Sequence, residues 1–262
     1  KELRARLHRE GIEAETYVGM RCWRPTIDEA IDRLLADGVG RVVGLPLYPQ
    51  FSLTSTGSAL TYFAERLAAR ELSHLETITI RQWYDDPGYV EALAETIRTE
   101  SALFPDPDPA NVHLLYSAHS IPIRYVERGD PYAEQTRRTV ELVNRSLGNR
   151  SRSTLAFQSK VGWQKWLEPS TAEVIADLGR SRTRQVLAIP VSFVSDHIET
   201  LYEMDMLFRD MATAAGIPHF RRAPALNCSP RFIGALAGLV RRGIAELDEN
   251  ASRSAGAASR RA

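Results

Sequence analysis

The chain has 262 residues, 44% of them hydrophobic and 25% charged, with 33 Lys and Arg against 33 Asp and Glu. That length holds one large or two small domains with proper cores, and the ordinary composition excludes a disordered chain, a collagen-like repeat and a small disulfide-stapled scaffold. Zero net charge removes the broad attraction to phosphate that drives nucleic-acid binding, and the two cysteines, Cys22 and Cys228, are too few for a thiolate zinc site or an iron–sulfur cluster built by this chain alone.

No apolar run approaches the roughly 20 residues that span a bilayer, and residues 1–11 are charged and amphipathic, without the apolar core of a signal peptide. A cytoplasmic protein in a reducing compartment is expected, with room left for a local basic patch and peripheral membrane contact. Leu3 and Leu7 fit the last turns of a helix that stops at Gly11, so the chain is expected to begin inside a domain. Residues 13–20 (EAETYVGM) have β character. Thr26 and Glu29, with Pro25 just ahead, form a capping box, and Ile27, Ala30, Ile31, Leu34 and Leu35 then recur at helical spacing up to the stop at Gly38. A nearly continuous apolar strand follows over 41–47, then a polar aromatic loop over 48–57, a helix to Arg70, a strand over 75–81 and a helix over 88–103. The run PDPDP at 105–109 can continue neither helix nor sheet and predicts a domain edge.

Beyond it the pattern restarts. Strands are predicted over 112–118, 154–160, 184–194 and 219–226, and helices over 130–147, 170–178, 196–215 and 229–248, the last begun by Ser229 and Pro230. Alternating strands and helices imply an α/β protein with two parallel-sheet domains: 1–108, lacking its opening strand, and 109–249, complete. The small and basic residues of 250–262 show no apolar period and predict a disordered tail.

Open α/β sheets bind ligands outside the carboxyl ends of their strands. His119 follows the strand over 112–118, and His197 and Glu199 follow that over 184–194. Either histidine alone is more readily a hydrogen-bonded surface residue; two at equivalent strand ends point to a shared cleft. Glu199 and Glu203, four residues apart, share one helix face as either a solvated acidic stripe or a cation or proton path. Imidazole with carboxylates suits a borderline divalent ion such as Fe²⁺, and a set short of four ligands suits delivery better than storage. Trp23, Tyr48, Trp163, Trp166 and Phe193 lie beside strand ends, where they either sandwich a flat apolar ligand or belong to the core; Arg21 and Lys160 could pair with ligand carboxylates. No dinucleotide, Walker or nucleophile-elbow motif is present, and the turn at 55–58 serves equally as a helix cap.

Several motifs in register carry a family resemblance: Gly19-Met20-Arg21, Tyr48-Pro49-Gln50, Ser55-Thr56-Gly57-Ser58, Ser117-Ala118-His119-Ser120, Gly129-Asp130-Pro131-Tyr132, Gln158-Ser159-Lys160-Val161-Gly162, Trp166-Leu167 and the run from Ser195 to Glu203. Through them the chain, from Thr16 to Val240, resembles ferrochelatase, which inserts ferrous iron into a porphyrin. The resemblance implies two Rossmann-like, chelatase-like domains with a porphyrin cleft between them. It gives His119 and Glu199 the metal-insertion and catalytic roles and sets Arg21 and Trp166 on the porphyrin. Asp196, His197 and Glu203 would form the surrounding shell, with Phe193, His197 and Glu203 on the substrate side.

Three departures stand out. The family's opening segment, with a Gly-rich turn and a lip of the porphyrin pocket, is absent. Leu53 and a cysteine-free tail replace the cysteines of relatives that carry an iron–sulfur cluster, so neither a cluster nor any other permanent cofactor is expected. Leu207 stands where relatives often continue the acidic ridge. The expected substrates are Fe²⁺ and protoporphyrin. The rival readings are a coproporphyrin ferrochelatase, a cobalt or nickel chelatase of sirohydrochlorin, and a haem- or metal-binding protein without turnover. No nucleic-acid partner and no transmembrane segment are expected, and the sequence leaves the oligomeric state open.

Overall fold

The computed structural model describes residues 1–160 and 162–259 of the chain. Its first unit takes in residues 1–47, 52–83 and the chain from 233 onward. Helix α1 (Glu2–Arg9) precedes α2 (Ile27–Ala36), whose capping box closes in both directions: Glu29 N–H donates to Thr26 Oγ1 at 3.1 Å and Thr26 N–H to Glu29 Oε2 at 2.7 Å. Ile27, Ala30, Ile31 and Leu34 form its buried face, as their spacing predicts. Strand β1 (Arg41–Gly44) pairs in parallel with β2 (Glu76–Thr79), and between them a π-helical turn, Leu53–Gly57, runs into α3 (Ser58–Ala69).

The strand expected over 13–20 does not form; its one ladder contact is an isolated bridge between Met20 and Thr26. Ala14 packs on the Leu7–Ala237–Val240 cluster while Val18 is 55% exposed, and without a paired neighbouring strand the β propensity of the segment is not rewarded.

The second unit comprises residues 48–51 and 84–232. It holds α4 (Pro87–Ser101), β3 (His113–His119), α5 (Ile123–Glu127), α6 (Tyr132–Ser146), β4 (Ser153–Gln158), α7 (Thr171–Arg180), β5 (Gln185–Pro190), a π-helix (Glu199–Leu207), α8 (Phe208–Ala214) and β6 (His219–Arg222). The four strands form one parallel sheet in the order β4-β3-β5-β6. From β3 the chain passes to β4 on one side and then crosses to β5 on the other. The carboxyl ends of β3 and β5 therefore flank a topological switch point, where such sheets open a crevice. One face of the sheet, with Leu115, Ala156, Val186 and Ala188, packs on Val174, Ile175 and Leu178 of α7 and on Phe208 and Ala212 of α8. Met204 from the π-helix is buried in the same core.

The units divide at residue 83 rather than at the proline run 105–109. Proline interrupts regular structure without interrupting packing: α4 stays with the second unit, where Tyr89 Oη donates to Val191 O at 2.9 Å. Strand β5 stops at Pro190 instead of reaching residue 194, because the chain turns there with Phe193 N–H on Pro190 O.

Helix α9 (Pro230–Ser259) starts where Ser229 Oγ accepts Phe232 N–H, and in the first unit its Ala237 and Val240 bury Leu7 of α1. At Gly243 a Cβ would lie 2.8 Å from Val43 Cγ1, so glycine lets α9 approach β1. The disordered tail expected over 250–262 is instead helical through Ser259, and residues 260–262 lie outside the described residues. A helix can form without an apolar period. Ala and Arg favour helix, and Arg253 pairs with Glu249 one turn back at 3.5 Å.

Candidate active site

His119 is the last residue of β3 and stands in register with Gln158, the last residue of β4. Its backbone is held from two directions: its N–H donates to Ser192 Oγ, and Tyr132 Oη donates to its carbonyl, both at 2.8 Å. Burial pushes the Tyr132 phenol up to about 12, so it remains a hydrogen-bond donor at neutral pH. The sheet thus delivers the imidazole in one orientation, with Nδ1 2.9 Å from Glu199 Oε2. The two side chains are 41% and 34% exposed, open enough to meet a substrate. The hydrogen bond from His119 holds the Glu199 carboxyl below the usual carboxylate range against the upward pull of burial, with help from His197 and the Ser159 hydroxyl.

Glu199 opens the π-helix, a rare conformation that recurs at functional sites, and Glu203 lies in the same segment. Ser159 Oγ is 2.9 and 3.0 Å from the two Glu203 oxygens and 3.4 Å from Glu199 Oε2, so one hydroxyl spans both carboxylates. The buried Gln158 amide reaches Glu199 O and Glu203 Oε2, each at 3.3 Å. Ser159 has φ of 63°, a left-handed backbone unusual for a residue with a side chain, and β4 therefore ends at Gln158 rather than at residue 160. The strain sits where the hydroxyl meets the carboxylates, as functional strain commonly does.

Phe193 lies edge-on between two imidazoles, its ring centroid 6.2 Å from that of His119 and 4.9 Å from that of His197. His197 Nδ1 accepts Glu199 N–H at 3.2 Å, which places the proton of the neutral ring on Nε2. Asp196 resists the upward pull of burial; Asn227, Arg222, the Ala225 N–H and Thr200 hold it below the usual carboxylate range.

His119, Phe193, His197, Glu199 and Glu203 are thus brought together in the second unit. Trp166 bridges Pro122 through its backbone and keeps a buried Nε1 without a hydrogen-bond partner. Arg21 belongs to the first unit, where its guanidinium stacks 4.4 Å over the Tyr62 ring. Trp23, Tyr48 and Trp163 are exposed, which removes the core reading for all three, and Lys160 is exposed as well. Gln158, Ser159, Ser192 and Tyr132 carry no chemistry-bearing pattern of their own. Yet Gln158 and Ser159 end an apolar strand, the position that singles out His119.

Among the described residues no group of three or more His, Cys, Asp and Glu side chains is set to hold a metal ion. The His119–Glu199 pair offers two donors and leaves the remaining coordination positions to other ligands, as suits a cation in transit. Also among the described residues, no helix is long and apolar enough to cross a membrane.

A profile of the ferrochelatase family matches residues 1–244. The chain belongs to the ferrochelatase family. It is 47% identical to the ferrochelatase of a Synechococcus species over 91% of this chain and 70% of that protein. To the ferrochelatase of Gloeobacter violaceus it is 46% identical, over 91% of this chain and 73% of the relative. Among solved structures, SirB from Bacillus subtilis with Fe³⁺ superposes with a TM-score of 0.68 at 14% identity, over 92% of this chain and 86% of SirB. That likeness places the chain in a chelatase fold, in agreement with the α/β architecture expected from sequence.

Proposed function

We propose that this chain inserts Fe²⁺ into a free-base porphyrin to give haem, with protoporphyrin preferred over coproporphyrin and with His119 and Glu199 handling metal and protons. Family membership supports the reaction, and the 2.9 Å contact between His119 Nδ1 and Glu199 Oε2 at the switch point supports the residue roles. In the net reaction Fe²⁺ replaces the two pyrrole N–H protons, which leave to bases, so no oxidant, reductant or nucleotide is required. An imidazole accepts a proton near neutral pH. A carboxylate held below its usual range stays anionic and can ligate the entering cation or pass a proton on. From Glu199 the path continues through the Ser159 hydroxyl to Glu203.

Phe193, His197 and Trp166 are proposed to meet the macrocycle, and Arg21 a propionate. The preference for protoporphyrin rests on charge: coproporphyrin brings two more propionates, which need water or cations, and Arg21 and Lys160 are the cations that the sequence motifs offer for carboxylates. We also propose that these 262 residues by themselves hold no iron–sulfur cluster, since their two cysteines fall short of the four thiolates a cluster needs. Anaerobic mixing of the protein with Fe²⁺ and protoporphyrin, without nucleotide, tests the reaction through porphyrin absorbance. Many turnovers are expected; a stoichiometric end point or a strict ATP requirement would overturn the reading.

A further inference from the structure

Arg222 ends β6, beside Ala188 of β5, and its side chain is 9% exposed. Its Nη1 donates to Asp196 Oδ1 at 2.7 Å, and its Nη2 lies 2.8 Å from Asp205 Oδ2. Asp196 stands just before the π-helix and Asp205 near its end, so one guanidinium grips both sides of the segment that carries Glu199 and Glu203. Asp196 is itself fixed by Asn227 Nδ2 at 2.8 Å, by the Ala225 N–H at 3.3 Å and by Thr200 Oγ1 at 3.2 Å.

Folding economy does not explain this arrangement. A buried guanidinium between two carboxylates contributes little net stability compared with apolar packing, and Arg222 Nε is buried without a hydrogen-bond partner, which adds a cost. A π-helix persists only where its surroundings over-determine it. If the ladder slipped to ordinary α register, each residue beyond the slip would turn by about 100° around the axis. Glu203 would then leave Ser159, and the alignment of the two carboxylates would be lost.

We propose that Arg222 is a positioning residue for metal insertion: by clamping Asp196 and Asp205 it holds the π-helix open and keeps Glu199 and Glu203 in line on Ser159. The inference rests on the insertion role proposed for those carboxylates. With its guanidinium engaged by Asp196 and Asp205, Arg222 acts through the segment it holds.

Arg222→Gln, Asp205→Asn and the double variant, each in the full chain, test it by amide hydrogen exchange and by steady-state insertion of Fe²⁺ into protoporphyrin. Each single variant is expected to speed amide exchange over 200–207 about tenfold while β3 and β5 keep their protection. Each should also lower kcat and raise KM for the metal, again about tenfold, with KM for porphyrin unchanged. The double variant should be no worse than Arg222→Gln, because both substitutions break one clamp. Unchanged exchange and kinetics in Asp205→Asn would overturn the proposal, whether or not Arg222→Gln folds. Equal acceleration in β3, β5 and 200–207, with rates falling only as the folded fraction falls, would also overturn it. A parent protein that inserts no metal would instead refute the reading of the site, while the exchange result still decides the clamp.

Discussion

The imidazole Nδ1 of His119 and the carboxylate Oε2 of Glu199, 80 positions apart in the chain, stand 2.9 Å from each other. One ends β3; the other begins the π-helix that follows β5, so both come to the carboxyl edge of the sheet at its switch point.

The contact gives stability a pH dependence with a definite sign. The folded-state pKa of Glu199 lies below its ordinary value of 4.5, chiefly through the hydrogen bond from His119. Its contribution is therefore fully present above 4.5 and is lost as pH falls through the folded value. Melting temperatures of the parent and Glu199→Gln, followed from neutral pH to about pH 3.5, should differ most at neutral pH and converge in acid. A gap that stays constant or widens on acidification would contradict this.

Gly179 in α7 has no room for a side chain, since a Cβ there would lie 2.3 Å from Ala215 O and 2.7 Å from Ala215 Cβ. Helix propensity alone would make Gly179→Ala stabilising by about 1 kcal/mol. Overpacking against backbone should outweigh that and leave the variant less stable by about 1–2 kcal/mol. Urea unfolding measures the sign, and a stabilised variant would show that α7 and the residues after α8 separate easily.

The proposed preference for protoporphyrin has a direct test. In one anaerobic reaction with protoporphyrin and coproporphyrin in competition, protoporphyrin is expected to show the higher kcat/KM. Product analysis that favoured coproporphyrin would overturn the preference and leave iron insertion standing.

Much of the fold is legible in the sequence because its signals are local. The capping box at Thr26 depends on side chains three residues apart and forms as read, and the structure adds a second one between Ser170 and Glu173. His119 is legible because an apolar strand points to it. The π-helix is not, since the i, i+4 spacing of Glu199 and Glu203 fits an α-helix as well, and the partners of its own Asp205 and Met204, Arg222 and the core of the second unit, are set by the tertiary fold. Ser159 stands in one of the motifs, but its contacts are not legible there because they depend on a left-handed backbone and on two carboxylates some 40 residues away. The strand expected over 13–20 fails for the opposite reason: local propensity is present, but beyond the Met20–Thr26 bridge no strand pairs with it.

Whether His119 and Glu199 act together in metal insertion is measured most directly by the anaerobic single-turnover rate for His119→Ala, Glu199→Gln and the double variant. Each single variant should lose about a hundredfold or more while keeping the circular dichroism of the parent, and the double should be little slower than the worse single. His197→Ala, further from the contact, should lose less. A parental rate in either His119→Ala or Glu199→Gln would contradict the account.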